Sequence, residues 1–212
     1  MKLKKSVFTS IVLLLLAQMA QGQFTEQGRF MLGSAVGFAT NTSKTSLPGQ
    51  LPGATEPQNT QWNVAPSIGY FLLDNFSLGI GLDYTSSSET RAGEAKTKDS
   101  DLLFGPFARL YFPFGDKAFF LQGNFGFGNS SDNFNDGTGN QNINTNIFAI
   151  GAGPGFTIFS SDAIGIEALI KYNYARSKFD IDLAGVKTST TTKTNQIALS
   201  LGIQFYFAGL RR

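Results

Sequence analysis

Four charged residues lie within otherwise apolar, glycine-rich stretches of the chain: Asp83, Arg109, Glu167 and Lys171. An unpaired buried ion costs several kcal/mol, so opposite charges in such surroundings are expected to neutralise one another. The same groups could instead form a proton path, a gate or a carboxylate active site. We expect the structural role, with an interaction between Arg109 and Glu167.

Two other strings resemble ligand-binding motifs. Residues 132–137, Asp-Asn-Phe-Asn-Asp-Gly, partly match a calcium loop, but Phe134 and Ile143 stand where oxygen ligands are needed. The glycines of 151–155, Gly-Ala-Gly-Pro-Gly, suggest a phosphate loop, but they lie in an alternating segment with no helix after it. We therefore expect a polar loop at the first string and a glycine-rich strand at the second.

The chain has no histidine and no cysteine. This composition removes Ser-His-Asp and Cys-His catalysis, ordinary zinc sites and disulfides. We expect no catalytic residue, no cofactor and no bound metal.

The amino-terminal 22 residues have the features of a secretory signal peptide. Lys2, Lys4 and Lys5 precede an apolar core at 11–17, and Ala-Gln-Gly at 20–22 forms a small-residue exit. We expect cleavage before Gln23 and a single domain over 23–212. Without those three lysines, 14 Lys and Arg face 15 Asp and Glu, so no basic footprint for nucleic acid remains.

Period-two alternation dominates the rest of the sequence and predicts eight β-strands. They are 28–39, 61–72, 77–85, 102–112, 118–128, 146–159, 163–175 and 196–207. Three connections are tight turns, at 73–76, 113–117 and 160–162. Four are long and polar, which predicts solvated loops at 40–60, 86–101, 129–145 and 176–195. Because long and short connections alternate, we expect an up-and-down meander with all long loops at one end and both termini at the other.

One face of every predicted strand is apolar and uncharged, and it includes Ile68, Leu78 and Ile80. The other face carries mainly Gly, Ala, Ser, Asn and Gln, with few charges. Two closed barrels fit this pattern: a soluble one with the apolar face inside, or a membrane one with it outside. A soluble surface is typically ~25 to 35% charged, far above what the small-residue face offers. The sequence therefore predicts an all-β, eight-stranded antiparallel transmembrane barrel.

The predicted barrel places the four charges in its lumen. Counted from the short turns, Arg109 and Glu167 lie at similar heights, with Gln122 and Gln204 near that level. Asp83 and Lys171 lie somewhat higher. Aromatic residues near both strand ends predict two interfacial girdles: Tyr70, Phe112, Phe119, Phe205 and Phe207 at one end, and Trp62, Tyr84, Phe127, Tyr172 and Tyr174 at the other.

The chain resembles the outer-membrane β-barrel domain family, the small eight-stranded barrels related in form to OmpA and OmpX. The stretches that carry the resemblance are 67–76, 105–112, 151–155 and 202–207. The last strand also resembles the signal read by the barrel-assembly machinery, through Ser200, Gly202, Phe205 and Phe207, although this chain continues over 208–212. The resemblance implies a Gram-negative outer membrane, with extracellular loops and periplasmic termini.

For function, we expect a non-enzymatic, monomeric protein with a structural or surface-interaction role carried by the four loops. The expected partners are outer-membrane lipid, the assembly machinery during insertion and an unidentified surface partner. A narrow channel or port for small or apolar molecules is one alternative. A membrane enzyme acting on lipid or peptide is another, less favoured because no histidine is present.

Overall fold

A computed structural model describes residues 24–46, 59–89, 97–135, 140–161, 163–183 and 186–208. The predicted signal segment at 1–22 lies outside these ranges. Eight strands form a closed barrel in sequence order, and every neighbouring pair is antiparallel. They are β1 (Phe30–Ser46), β2 (Asn59–Leu73), β3 (Phe76–Glu89), β4 (Thr97–Phe114), β5 (Lys117–Asn135), β6 (Asn140–Ser161), β7 (Ile164–Leu183) and β8 (Val186–Phe207). Within the described ranges, no helix is long and apolar enough to cross a membrane.

The eight predicted strands and the up-and-down order are confirmed. We call the end that holds the turns 74–75 and 115–116 and the turn residue Ala163 the short-turn end, and the opposite end the long-connection end. Asn75 and Gly115 have φ angles of 64° and 63°, a left-handed conformation that glycine adopts freely and asparagine tolerates. These two residues allow the chain to reverse within two positions.

The predicted long loops are wrong in extent, because much of each is strand. The stretch 176–195 was expected to be a loop, but β7 continues to Leu183 and β8 begins at Val186. Likewise β5 and β6 remain paired out to Asn135 and Asn140. Apolar residues alternate along a strand because one of its faces contacts lipid, and strand conformation alone does not require this pattern. The alternation therefore ends where the strands leave the apolar environment. Backbone pairing and the β-propensity of threonine continue beyond that point.

The apolar face points outward, as predicted for a membrane barrel. Ile68, Ile80 and Pro106 form one outward row across β2, β3 and β4, and the side chains of Ile80 and Leu201 are 48% and 62% exposed. Gly69, Gly79 and Gly81 alternate with these residues and face the lumen. Large apolar residues on this surface are suited to contact with acyl chains.

The lumen at the short-turn end is filled by large side chains, which the prediction of a small-residue face missed. Six buried residues form what we call the short-turn plug: Met31, Phe71, Tyr111, Phe120, Phe159 and Tyr206. Its ring centroids lie 5.3 to 5.6 Å apart for the pairs Tyr111–Phe120, Phe159–Tyr206 and Phe71–Tyr111. All five aromatic members fall on the inward parity near a strand end: four lie within a few residues of a short turn, and Tyr206 lies one residue before the end of β8. This position was the available signal in the sequence.

Residues 24–29 lie across the same end of the barrel. Phe24 stacks on Phe159 with centroids 4.2 Å apart. The amide of Asn75 donates to the carbonyl oxygen of Thr25 at 2.7 Å, and the Thr25 hydroxyl hydrogen-bonds the Asn75 side chain. The amide of Gln27 donates to Asp74 Oδ1 at 2.8 Å. This segment thus covers the short-turn plug at the end of the barrel.

Candidate functional site

The most constrained charges in the barrel are Arg109 on β4 and Glu167 on β7. Their strands are not neighbours, so the two side chains meet across the lumen. Arg109 Nη1 donates to Glu167 Oε2 at 2.8 Å, and the two side chains are only 7% and 4% exposed. The structure therefore brings together the two residues that were expected to interact.

Three further groups complete what we call the Arg109 network, which comprises Arg109, Glu167, Gln122, Tyr111 and Tyr206. Arg109 Nε donates to Gln122 Oε1 at 2.6 Å, and its Nη1 donates to the Tyr111 hydroxyl at 3.1 Å. The Tyr206 hydroxyl donates to Glu167 Oε1 at 2.9 Å. Both carboxylate oxygens of Glu167 are therefore hydrogen-bonded to neighbouring side chains.

Aromatic rings enclose the guanidinium of Arg109. Its Cζ atom lies 4.9 Å from the centroid of Phe120 and 5.4 Å from that of Phe107. A guanidinium over a ring face gains cation–π attraction, most strongly where water is excluded. Sequence reasoning found the two charges and Gln122 but missed the tyrosines, because their hydroxyl partners lie on other strands across the lumen.

A cavity of about 410 Å³ lies between the Arg109 network and the long-connection end. Arg109, Gln122 and Gln204 line its lower part, while Ser177, Thr192 and Thr194 line its upper part. Glu167 is not among the lining residues. The lumen is thus filled at the short-turn end and hollow above it, with a wall of mixed polar and apolar side chains.

Asp83 and Lys171 both line this cavity, as their predicted height requires. Asp83 Oδ1 accepts hydrogen bonds from Asn63 Nδ2 at 2.9 Å and from Thr85 Oγ1 at 3.3 Å. Within the described part of the chain, no ion pair within 4.0 Å joins Asp83 to Lys171. The structure therefore places these two residues in the same cavity, on strands β3 and β7 that face each other across the barrel, with no ion pair between them.

Amide side chains form a polar belt higher in the cavity. Gln196 Nε2 donates to Gln61 Oε1 at 2.8 Å, and Asn173 Nδ2 donates to Gln196 Oε1 at 3.3 Å. These residues come from β2, β7 and β8. Such a wall can hydrogen-bond water or a small polar solute. Among the described residues, no group of three or more acidic side chains is placed to hold a metal ion.

The two ligand-like strings have different outcomes. The glycines of 151–155 lie in β6, a strand followed by a turn, so the expected glycine-rich strand is confirmed. Gly151, Gly153 and Gly155 face the lumen, and a Cβ at Gly155 would meet the ring of Phe120. The loop expected at the calcium-like string is wrong for residues 132–135, which form the paired end of β5. Residues 136–137 and the side chains of the whole string lie outside the described part of the chain.

All four residues of the predicted assembly signal lie on β8. Ser200 is buried toward the lumen, whereas Phe205 and Phe207 are exposed on the lipid-facing surface. A Cβ at Gly202 would crowd the backbone of Ser34 on β1. Because Phe207 pairs with Phe30, the same strand closes the barrel against β1.

Residues 8–205 match the family described as "Outer membrane protein beta-barrel domain". The chain belongs to this family. Its place is accordingly the outer membrane, which agrees with the outward apolar face. A comparison with curated protein sequences finds no match.

Solved outer-membrane barrels share the fold at low sequence identity. OprG of Pseudomonas aeruginosa is 14% identical with a TM-score of 0.54, covering 88% of this chain and 99% of its own. Ail, the attachment invasion locus protein of Yersinia pestis, was crystallised with the heparin analogue sucrose octasulfate; it is 13% identical with a TM-score of 0.53, covering 85% and 99%. Neisserial surface protein A is 16% identical with a TM-score of 0.51, covering 85% and 98%.

Proposed function

We propose that this outer-membrane barrel is a non-enzymatic, monomeric structural protein that presents a rigid polar surface to partners outside the cell. The observation that carries the proposal is the continuation of paired strands beyond the apolar band at the long-connection end. We call the paired ends of β7 and β8 beyond the apolar band, residues 177–183 and 186–195, the β7–β8 extension.

Strands β7 and β8 are longer than is required to cross a membrane. A transmembrane strand needs ~9 to 11 residues, whereas β7 and β8 have 20 and 22. Ile197 is the last lipid-facing apolar residue of β8, and pairing with β7 continues to Val186. At ~3.3 Å per residue, the strand from Asn195 to Val186 is roughly 30 Å long. Because the hydrogen-bonded ladder orders this backbone, a partner would meet a preformed surface.

The proposed orientation places the long-connection end outside the cell and the short-turn end in the periplasm. Barrels of this class have short periplasmic turns and longer extracellular connections, which supports the assignment. The name of Ail as an attachment protein supports a surface role for a barrel of the same fold. Lipid and the barrel-assembly machinery are the other proposed partners, the latter reading Ser200, Gly202, Phe205 and Phe207.

The geometry of the charges supports a non-enzymatic role. Both oxygens of Glu167 are held by Arg109 and Tyr206, and the carboxylate does not face the cavity. The alternative of a narrow channel or port is less well supported, since the short-turn plug and the Arg109 network occupy the lumen. We expect refolded protein to be silent in planar bilayers. Currents that vanish on Asp83→Asn or Glu167→Gln would favour the channel instead.

The orientation can be tested with single cysteines, because the natural chain has none. Ser189→Cys lies in the β7–β8 extension, and Asp116→Cys lies in a short turn where Asp116 is exposed. A membrane-impermeant maleimide should label Ser189→Cys in intact cells and Asp116→Cys only after the outer membrane is permeabilised. The reverse pattern would overturn the proposed orientation.

The surface role can be tested by replacing residues 178–191 with an Asn-Gly turn. Lys178 pairs with Thr191, so the deletion removes complete cross-strand pairs and leaves the lipid-facing band intact. Crosslinking in intact cells should give adducts with the full chain that disappear with the shortened one. Identical adducts from both would show that this extension does not carry the partner surface.

A further inference from the structure

Cationic residues occupy paired positions on three neighbouring strands at the base of the β7–β8 extension. Arg176 on β7 pairs directly with Lys193 on β8, and Lys193 pairs on its other side with Lys44 on β1. The side chains of Arg176 and Lys193 are exposed. We call Arg176 and Lys193 the cationic row.

Interactions within the fold do not account for this row. Like charges directly opposite one another on adjacent strands are destabilising. Within the described part of the chain, neither Arg176 nor Lys193 has an ion-pair partner within 4.0 Å. A bound anion would turn this repulsion into attraction.

The cationic row lies where lipid headgroups meet the barrel. Tyr174 lies two residues before Arg176 on β7, and Phe148 on β6 is the cross-strand partner of Arg176. The hydroxyl of Tyr172 donates to Asn195 Oδ1 at 2.7 Å, so this hydrogen bond lies one outward position below Lys193. Aromatic residues of this kind typically occupy the membrane interface. The row thus stands at the polar edge of the apolar band.

The charge is local and does not continue around the barrel at the same position. The first outward residue beyond the apolar band is uncharged on β3, β4, β5, β6 and β8, where it is Ser86, Ser100, Asn129, Asn146 and Asn195. On β7 it is Arg176. Lys193 is the second such residue on β8 and the cross-strand partner of Arg176. A ring of equal charges would suggest general attraction to a membrane, whereas a pair on β7 and β8 suggests a defined binding site.

We propose that the cationic row binds the phosphate of an anionic lipid headgroup in the leaflet at the long-connection end. The guanidinium of Arg176 suits two parallel hydrogen bonds to phosphate oxygens, and Lys193 adds a point charge beside it. The acyl chains of the same lipid would run along Tyr172, Phe148 and Ile197 below. The site requires only that the barrel is embedded in a membrane, and it does not depend on the proposed surface role.

The test uses the full mature barrel refolded in detergent, with phosphatidic acid as the probe and native mass spectrometry as the readout. Arg176→Gln and Lys193→Gln should each weaken binding of the first phosphatidic acid molecule roughly fivefold, as expected for one cation near a charged membrane surface. Lys193→Arg should retain binding. The matched control is Lys117→Gln, which removes one positive charge at the short-turn end, where Lys117 lies 3.7 Å from Asp116.

Three outcomes would overturn the proposal. Equal loss of affinity in Lys117→Gln would show that net charge is responsible. Unchanged binding in both Arg176→Gln and Lys193→Gln would place any lipid elsewhere. Full displacement of phosphatidic acid by millimolar inorganic phosphate would show that a free phosphate site, and not a lipid site, has been measured. Heat-modifiable migration in gels verifies that each variant is folded.

Discussion

Arg109 Nη1 lies 2.8 Å from Glu167 Oε2, and the contact joins opposite walls of the barrel because β4 and β7 are not neighbouring strands. Removing one partner leaves an uncompensated charge in the lumen, which costs about 3 to 5 kcal/mol. We expect Arg109→Gln and Glu167→Gln each to lower the free energy of unfolding by this amount, as measured by urea titration of barrels refolded in lipid vesicles.

The double variant Arg109→Gln with Glu167→Gln should recover part of that loss, since it leaves no unpaired ion. A double-mutant cycle should therefore give a coupling free energy of more than about 1 kcal/mol. Additive effects of the two substitutions would show that the contact contributes nothing to stability. Glu26→Gln serves as the control for removing a carboxylate, because Glu26 is exposed outside the strands.

Lipid-facing and lumen-facing positions on β3 should respond differently to substitution. Ile80 points outward, and lysine there should cost about 2 to 4 kcal/mol if it lies near the bilayer midplane. Gly81 is its lumen-facing neighbour, and an added Cβ would have only ordinary contacts at 3.6 Å or more. We expect Ile80→Lys to reduce the folded fraction in vesicles strongly and Gly81→Ser to leave it nearly unchanged.

A comparison of Gly79 with Gly81 distinguishes the effect of facing the lumen from the effect of the space available for a side chain. Gly79 shares the lumen face with Gly81, but its added Cβ would meet the carbonyl oxygen of Ile68 and the ring of Phe107. Gly79→Ser should therefore fold less efficiently than Gly81→Ser. Equal tolerance of Ile80→Lys and Gly81→Ser would contradict the assigned faces of the strand.

Asn75 joins the first short turn to residues 24–29. Its left-handed φ of 64° disfavours alanine, and its side chain hydrogen-bonds Thr25. Asn75→Ala should destabilise the barrel by about 1 to 2 kcal/mol, from lost turn geometry and a lost buried hydrogen bond. Asn75→Gly should restore the turn but not the side-chain bond. If the contact with Thr25 holds residues 24–29 in place, limited proteolysis near Phe24 should be faster in both variants. Unchanged cleavage would exclude this role of the contact.

The sequence predicted the number of strands, their order and the direction of faces such as Ile80 and Gly81, because lipid contact imposes a strict two-residue period. It did not predict the β7–β8 extension, since residues 187–195 of β8 are polar on both faces and leave no period to detect. The short alternation of Phe179, Ile181 and Leu183 on β7 was the available signal. The Arg109–Glu167 contact was expected from charge and height. Tyr111 and Tyr206 were missed because their hydroxyl partners depend on distances across the lumen, which no local pattern records.

Gly155 provides a test of how tightly the short-turn plug is packed. An added Cβ would meet the ring of Phe120, which is buried between Tyr111 and the guanidinium of Arg109. Gly155→Ala should therefore cost about 1 to 3 kcal/mol by overpacking. Gly123→Ala on β5 is the matched control, since its Cβ would have no neighbour within 4 Å, and we expect no loss there. In Gly155→Ala with Phe120→Leu, the smaller side chain should restore part of the stability in urea titrations. A loss that Phe120→Leu does not relieve would place the strain in the backbone of β6 and not in the plug.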